Sequence, residues 1–271
     1  MNSLARRFLA LVAVLAVPVL ALLPLPAEAK ASAAKPTVVL VHGAFADSSS
    51  WNGVVARLAA KGYPVIAVAN PLRGLKSDAA YVGSVLDSID GPVILVGHSY
   101  GGAVITFAPT SKGNVKALVY VAGFAPDVGE TAFTLSGKFP GSTLGPALAP
   151  PVGLPGGGKD LYIQPAKFHD QFAADLSTRD TKLMAAAQRP ITEAALNESG
   201  ESPAWKSIPS WFLYGSADRN IPAAVVAFMA ERAGAKKAIE VKGASHVVMI
   251  SHPIPVVRLI EDAAAATQPG I

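Results

Sequence analysis

Val93-Ile94-Leu95-Val96-Gly97-His98-Ser99-Tyr100-Gly101-Gly102-Ala103 is the stretch that decides the fold. Val93 to Val96 has the length and β-branched content of a buried strand. It runs without a break into Gly97-His98-Ser99-Tyr100-Gly101, and an apolar helical pattern continues from Gly102 to Ala108. The five residues fit G-x-S-x-G, a sharp strand-to-helix turn that pushes a serine hydroxyl into the open. Strand and helix approach closely around such a turn, which is why its flanks, Gly97 and Gly101, carry no Cβ. Ser99 is therefore the candidate nucleophile. The Tyr100 N–H, at the start of the new helix, points where an oxyanion would form.

Upstream, Thr37 to Val41 reads as a strand ending in His42-Gly43-Ala44-Phe45. The Ala44 N–H is the candidate second oxyanion donor, and the Phe45 side chain a pocket wall. Asp47 and Ser48 to Ser50 offer caps to a helix whose Trp51, Val54, Val55 and Leu58 recur at helical spacing. Val65 to Ala69 is a second strand. Ser77 or Asp78 is placed to cap the next helix, which turns Val82, Val85, Leu86 and Ile89 inward.

Downstream, Val115 to Val121 is a further strand. Strands alternating with helices imply an α/β architecture, a mostly parallel sheet covered on both faces. The pattern breaks from Gly123 to Ser207. Gly and Pro cluster between Phe139 and Gly158, and weaker helical segments follow around Phe168 to Leu176, Lys182 to Gln188 and Ile191 to Asn197. This region, about 128–206, reads as an inserted cap. The alternation returns with Trp211 to Tyr214, which leads into Gly215-Ser216-Ala217-Asp218. A helix from Pro222 to Ala233 follows, then a strand from Ala238 to Val241. Gly243-Ala244-Ser245-His246 and a closing helix from Pro253 to Ala266 complete the chain.

A serine hydroxyl needs a base to take its proton, and the base needs a carboxylate to orient it. Ser99, Asp218 and His246 occur in the order nucleophile, acid, histidine, and each falls just past a predicted strand. Loops at that edge are where α/β sheets place their sites. Asp127 is the rival acid and His252 the rival base. His42 and His98 flank the two turns and read as structural, bonded to neighbouring backbone. His169, in the cap, has no partner motif.

The 271 residues are 51% hydrophobic and 15% charged, which suits one large domain with an insertion and excludes disorder over most of the length. Net charge is +4, but Lys and Arg are scattered with no basic stripe, so no nucleic-acid partner is expected. With no cysteine there is no disulfide, thiolate metal site or cysteine nucleophile. No P-loop, G-x-G-x-x-G or H-E-x-x-H occurs, so neither cofactor nor metal is expected. Arg6 and Arg7, an apolar run from Phe8 to Leu23 and Ala27-Glu28-Ala29 form the three parts of a secretory signal peptide. The expected organisation is a signal peptide over 1–29, a tether over 30–36 and one domain over 37–271. Export to the periplasm or medium is the corresponding expectation, with an uncleaved anchor as the alternative. Oligomeric state leaves no mark in the sequence.

Val-His-Gly-Ala-Phe, Gly-His-Ser-Tyr-Gly-Gly, Tyr-Gly-Ser-Ala-Asp and Gly-Ala-Ser-His together resemble the α/β-hydrolase superfamily, over about residues 37 to 266. The chain is most similar to the small esterase branch that holds plant methylesterases, hydroxynitrile lyases and related bacterial carboxylesterases. The resemblance implies hydrolysis of a carboxylic ester through an acyl-enzyme, without metal or cofactor. Hydroxynitrile lyases of this branch carry a Lys directly after the catalytic His; Val247 stands there. Dehalogenases and epoxide hydrolases of the fold use Asp at the elbow, where this chain has Ser99. The apolar, Gly/Pro-rich cap suggests a small or medium hydrophobic ester. The alternatives are a ligand-binding member of the fold with little turnover, or a lyase- or perhydrolase-like enzyme using the same three residues.

Overall fold

β-branched runs supply the strands of a single parallel sheet, and the order in which they pair sets the position of the loops. The computed structural model describes residues 35–108 and 112–267. The expected signal peptide and most of the tether lie outside them. The strands are β1 (Thr37–Val41), β2 (Val65–Val68), β3 (Val93–His98) and β4 (Val115–Val121). Three short cap strands follow, β5 (Val152–Gly153), β6 (Lys159–Leu161) and β7 (Ile191–Thr192), and then β8 (Ser210–Gly215) and β9 (Lys237–Val241). Order across the main sheet is β2-β1-β3-β4-β8-β9, all parallel. Every residue of β3 and of β8 is buried, as their near-continuous apolar sequences require of strands covered on both faces. The edge strand β9 is largely exposed or half-exposed.

The helices are α1 (Asn52–Ala60), α2 (Leu75–Asp87), α3 (Tyr100–Phe107), α4 (Ala132–Ser136), α5 (Leu144–Ala147), α6 (Pro165–Phe172), α7 (Thr178–Ala187), α8 (Glu193–Asn197), α9 (Ala223–Arg232), α10 (Val248–Ser251) and α11 (Pro253–Ala266). The expected cap at Asp47 is present. Its carboxylate accepts from the Ser49 N–H at 2.7 Å, at the head of a 3₁₀ turn that leads into α1.

The start of α2 differs from expectation. Gly74, not Ser77 or Asp78, occupies the N-cap. Asp78 lies one turn inside the helix, fully buried, and accepts from the Arg73 N–H at 3.1 Å and the Tyr100 hydroxyl at 2.9 Å. A buried carboxylate needs such donors, and they hold it here rather than at the helix end.

The insertion between β4 and β8 contains α4 to α8 and a small antiparallel sheet, β5-β6-β7, where no strand is expected from the sequence; β7 takes the first two residues of the segment expected to be helical from Ile191 to Asn197, and only α8 keeps that form. Strands of two or three residues are too short to show any alternation. Arg73 ties the cap to the body through Asp160 at 2.7 Å and the Pro190 carbonyl at 2.8 Å. The cap leaves and rejoins the sheet at neighbours, since β4 pairs directly with β8 from Leu118–Ser210 to Val121–Leu213.

Candidate active site

Ser99 sits at the apex between β3 and α3 with φ 54° and ψ −125°, a conformation side-chain-bearing residues rarely adopt. The backbone around it is fully engaged. Ser99 N–H donates to the Ala122 carbonyl at 3.1 Å, and its own carbonyl accepts from Gly102 at 2.9 Å and Phe124 at 3.1 Å. A Cβ on Gly101 would lie 2.4 Å from the Val41 carbonyl oxygen, and one on Gly43 would lie 2.5 Å from Ser99 Cβ. Only glycine allows β1, the elbow and α3 to meet this closely.

Asp218, just past β8, and His246, just past β9, meet at 2.7 Å between Oδ2 and Nδ1, and both side chains are fully buried. The other carboxylate oxygen, Oδ1, accepts from the Asn220 N–H at 2.8 Å and the Ile221 N–H at 3.0 Å. The carboxylate accepts at Oδ2, so Nδ1 carries the proton and Nε2 keeps its lone pair. Nε2 has no hydrogen-bond partner among the described residues. The imidazole packs against Phe172, with ring centroids 5.2 Å apart, and against His98 at 4.8 Å.

Two other buried histidines brace the backbone. His98 Nε2 donates to the His246 carbonyl at 3.1 Å. His42 Nδ1 donates to the Gly43 carbonyl at 2.9 Å, while its Nε2 accepts from the Asn70 N–H at 3.1 Å. Burial lowers the His42 pKa from 6.5 to about 4, and burial, with His246 nearby, holds His98 well below 6.5. Their charge state makes a pH prediction. Below pH 6.5 the unfolded chain takes up protons that the folded histidines refuse, so stability falls as pH drops from 6.5 towards 4. His42 alone accounts for about 3 kcal/mol across that window. Urea unfolding at pH 7, 5.5 and 4.5 should show a falling midpoint, and His42→Asn should weaken the dependence, leaving the His98 share; a midpoint unchanged to pH 4.5 contradicts it.

Ala44, Phe45, Ser99 and Tyr100 line one cavity of about 300 Å³. Its walls are mainly apolar, with Phe124, Phe133, Leu144, Leu161 and Ile221 among them. Among the turn and loop hydrogen bonds of the described residues, none uses the Ala44 or Tyr100 N–H, whereas the Phe45 N–H donates to the Arg189 carbonyl at 2.9 Å. Phe45 itself has φ 61° and packs edge-on against Phe172, 6.1 Å between centroids. Neither that conformation nor the part played by Phe172 has a signal in the sequence.

The rival residues have other partners. Asp127 pairs with Lys206 at 2.6 Å, and that hydrogen bond holds its carboxyl below the usual range. His252 Nδ1 lies 2.8 Å from Ser251 Oγ. His169 contacts Asp170 at 2.7 Å and the Leu176 carbonyl at 3.2 Å. Among the described residues there is no group of three or more His, Cys, Asp or Glu able to hold a metal ion.

A parallel sheet with a serine apex turn on a central strand, and a paired aspartate and histidine on later loops of the same edge, is the architecture of the α/β hydrolases. The model of the alpha/beta hydrolase family matches residues 38–259, and the chain belongs to that family. It is 26% identical over 239 residues to salicylic acid-binding protein 2 of Nicotiana tabacum, covering 79% of this chain and 92% of that protein. It is 24% identical over 247 residues to polyneuridine aldehyde esterase of Rauvolfia serpentina, covering 83% and 94%. The crystal structure of polyneuridine aldehyde esterase superposes with a TM-score of 0.73 at 22% identity, over 84% of this chain and 98% of that one. By family and by its esterase relatives the chain is a hydrolase enzyme.

Proposed function

We propose that the protein is a serine hydrolase that cleaves a small or medium hydrophobic carboxylic ester. The observation that carries this reading is the buried Asp218–His246 pair with Nε2 left unpartnered, on the sheet edge where Ser99 stands at the apex of its turn. In this reading Ser99 Oγ attacks the ester carbonyl while His246 Nε2 takes its proton. Asp218 holds the imidazole in the required tautomer and stabilises the imidazolium. The N–H groups of Ala44 and Tyr100 receive the developing oxyanion. Collapse of the tetrahedral intermediate expels the alcohol, which takes the proton from His246, and leaves an ester on Ser99. Water, deprotonated by His246, then releases the acid.

The cavity supports the substrate class. About 300 Å³ of mainly apolar space, walled by Phe45 and Phe124, favours a compact neutral acyl or alkyl group. A series of p-nitrophenyl esters from acetate to dodecanoate tests it. The expected result is a burst followed by turnover, best at short and medium acyl chains and falling at the long end. Tight ligand binding with no acylation by any ester would favour the ligand-binding alternative instead, with which the name of the tobacco relative agrees.

A further inference from the structure

The loop that carries His246 is held to the sheet from one side only, where the Ala217 N–H donates to the Ala244 carbonyl at 3.0 Å and the Gly243 N–H to Ser216 Oγ at 2.8 Å. It hangs from β9, an edge strand with one neighbour and a mostly exposed face. A base must hold its lone pair steady to within fractions of an ångström, so something else must fix this loop. The elbow side supplies one pin, from His98 to the His246 carbonyl. The cap adds further contacts, from one short segment at the end of α6. Phe172 lies against the imidazole face, and its carbonyl is 3.4 Å from Ser245 Oγ. Ser245, immediately before His246, directs its hydroxyl to Asp175 Oδ1. Gln171 reaches the acid loop, where its Nε2 donates to Asn220 Oδ1 at 2.7 Å and to the Arg219 carbonyl at 2.9 Å.

We infer that the cap segment from Gln171 to Asp175 is a clamp on the Asp218–His246 pair, and that Asp175 is a positioning residue for His246, acting through Ser245. The inference rests on the serine-hydrolase reading above. Asp175 suits the task. Burial would raise its carboxyl, but hydrogen bonding, from the Ser245 hydroxyl first, more than offsets this and holds it below the usual range, so it accepts as an anion. A hydroxyl bonded to a carboxylate is held more firmly than one bonded to a neutral acceptor. His252, 3.7 Å from the other oxygen of Asp175, is a neighbour of this clamp. The cap is thus part of the catalytic support as well as the wall of the cavity.

The test uses the full-length protein with p-nitrophenyl butyrate and a fluorophosphonate probe. Asp175→Asn keeps the shape and removes the charge; Ser245→Ala removes the relay. Each should lower kcat and the rate of fluorophosphonate labelling by roughly 10- to 100-fold with KM within about twofold. The double variant should fall no further than the more severe single one, because both cut the same connection. The Nδ1 proton resonance of His246, which reports its bond to Asp218, should move or broaden in both. Should Asp175→Asn fail to fold, Ser245→Ala carries the same readings. Wild-type kcat and an unmoved resonance in either variant overturn the inference, as does a loss expressed wholly in KM, which would make Asp175 part of the cavity wall only. A wild-type protein that never labels sinks the serine-hydrolase reading instead, and the resonance still decides whether Asp175 positions His246.

Discussion

Ser99→Ala is expected to fold like the wild type, to take no label from a fluorophosphonate and to lose on the order of 10⁶ in kcat. The expectation of normal folding has a structural basis. Alanine keeps the Cβ that Ser99 already places at φ 54°, so the backbone strain is unchanged. The hydroxyl faces the cavity, so its loss opens no hole in the core. In the proposed mechanism the size of the kinetic effect follows from chemistry: without Oγ no acyl-enzyme would form, and only binding and the two backbone amides would remain to assist water. Undiminished labelling of this variant would remove Ser99 as the nucleophile.

His246→Ala and Asp218→Asn are expected to cost roughly 10⁴ or more in kcat, measured on the same esters. Alanine at 246 would remove the proposed base. Asparagine at 218 is subtler, because it leaves the packing intact. The carboxylate accepts three hydrogen bonds, from His246 Nδ1 and from the amides of Asn220 and Ile221. An amide has one acceptor oxygen. If that oxygen serves the two backbone amides, its NH₂ faces Nδ1 and pushes the imidazole to the opposite tautomer, with the proton on the nitrogen that must act as base. Asp127→Asn and His252→Ala are the controls, and both should stay near wild-type kcat. A severe Asp127→Asn with a nearly normal Asp218→Asn would move the acid to Asp127, and the same reversal between His246 and His252 would move the base.

Most of the sheet was legible in the sequence because its strands are short apolar runs broken by glycine and proline. β1 and β4 occupy the expected residues, Thr37–Val41 and Val115–Val121. α11 likewise runs over Pro253–Ala266, with proline at its first turn. The meeting of Asp218 with His246 was legible through chain order and through the rule that loops past parallel strands share one edge. What escaped the sequence depends on contacts across the fold. Asp78 looked like a helix cap because aspartate near a helix start usually is one; the Tyr100 hydroxyl, 22 residues away, draws it inward. The β5-β6-β7 sheet is too short to carry a pattern. Phe172 and Asp175 gain their places only when the cap folds back, and nothing near them in sequence distinguishes them from an ordinary amphipathic helix and the turn that follows it.

The direct pairing of β4 with β8 has an evolutionary consequence. To the sheet, the whole insertion is a single closed excursion whose ends already touch, so its length is almost free to change. Lengthening such a loop twofold costs only about 0.6 kcal/mol in closure entropy. Substrate range can therefore drift by trimming, growing or replacing this roof while the strands beneath keep their register. The freedom stops at the few residues that grip the histidine loop. If Asp175 acts as proposed, a transplanted roof that lacks its counterpart would arrive as a well-folded shell over a slowed serine, so lineages that exchange roofs should inherit or reinvent that grip each time.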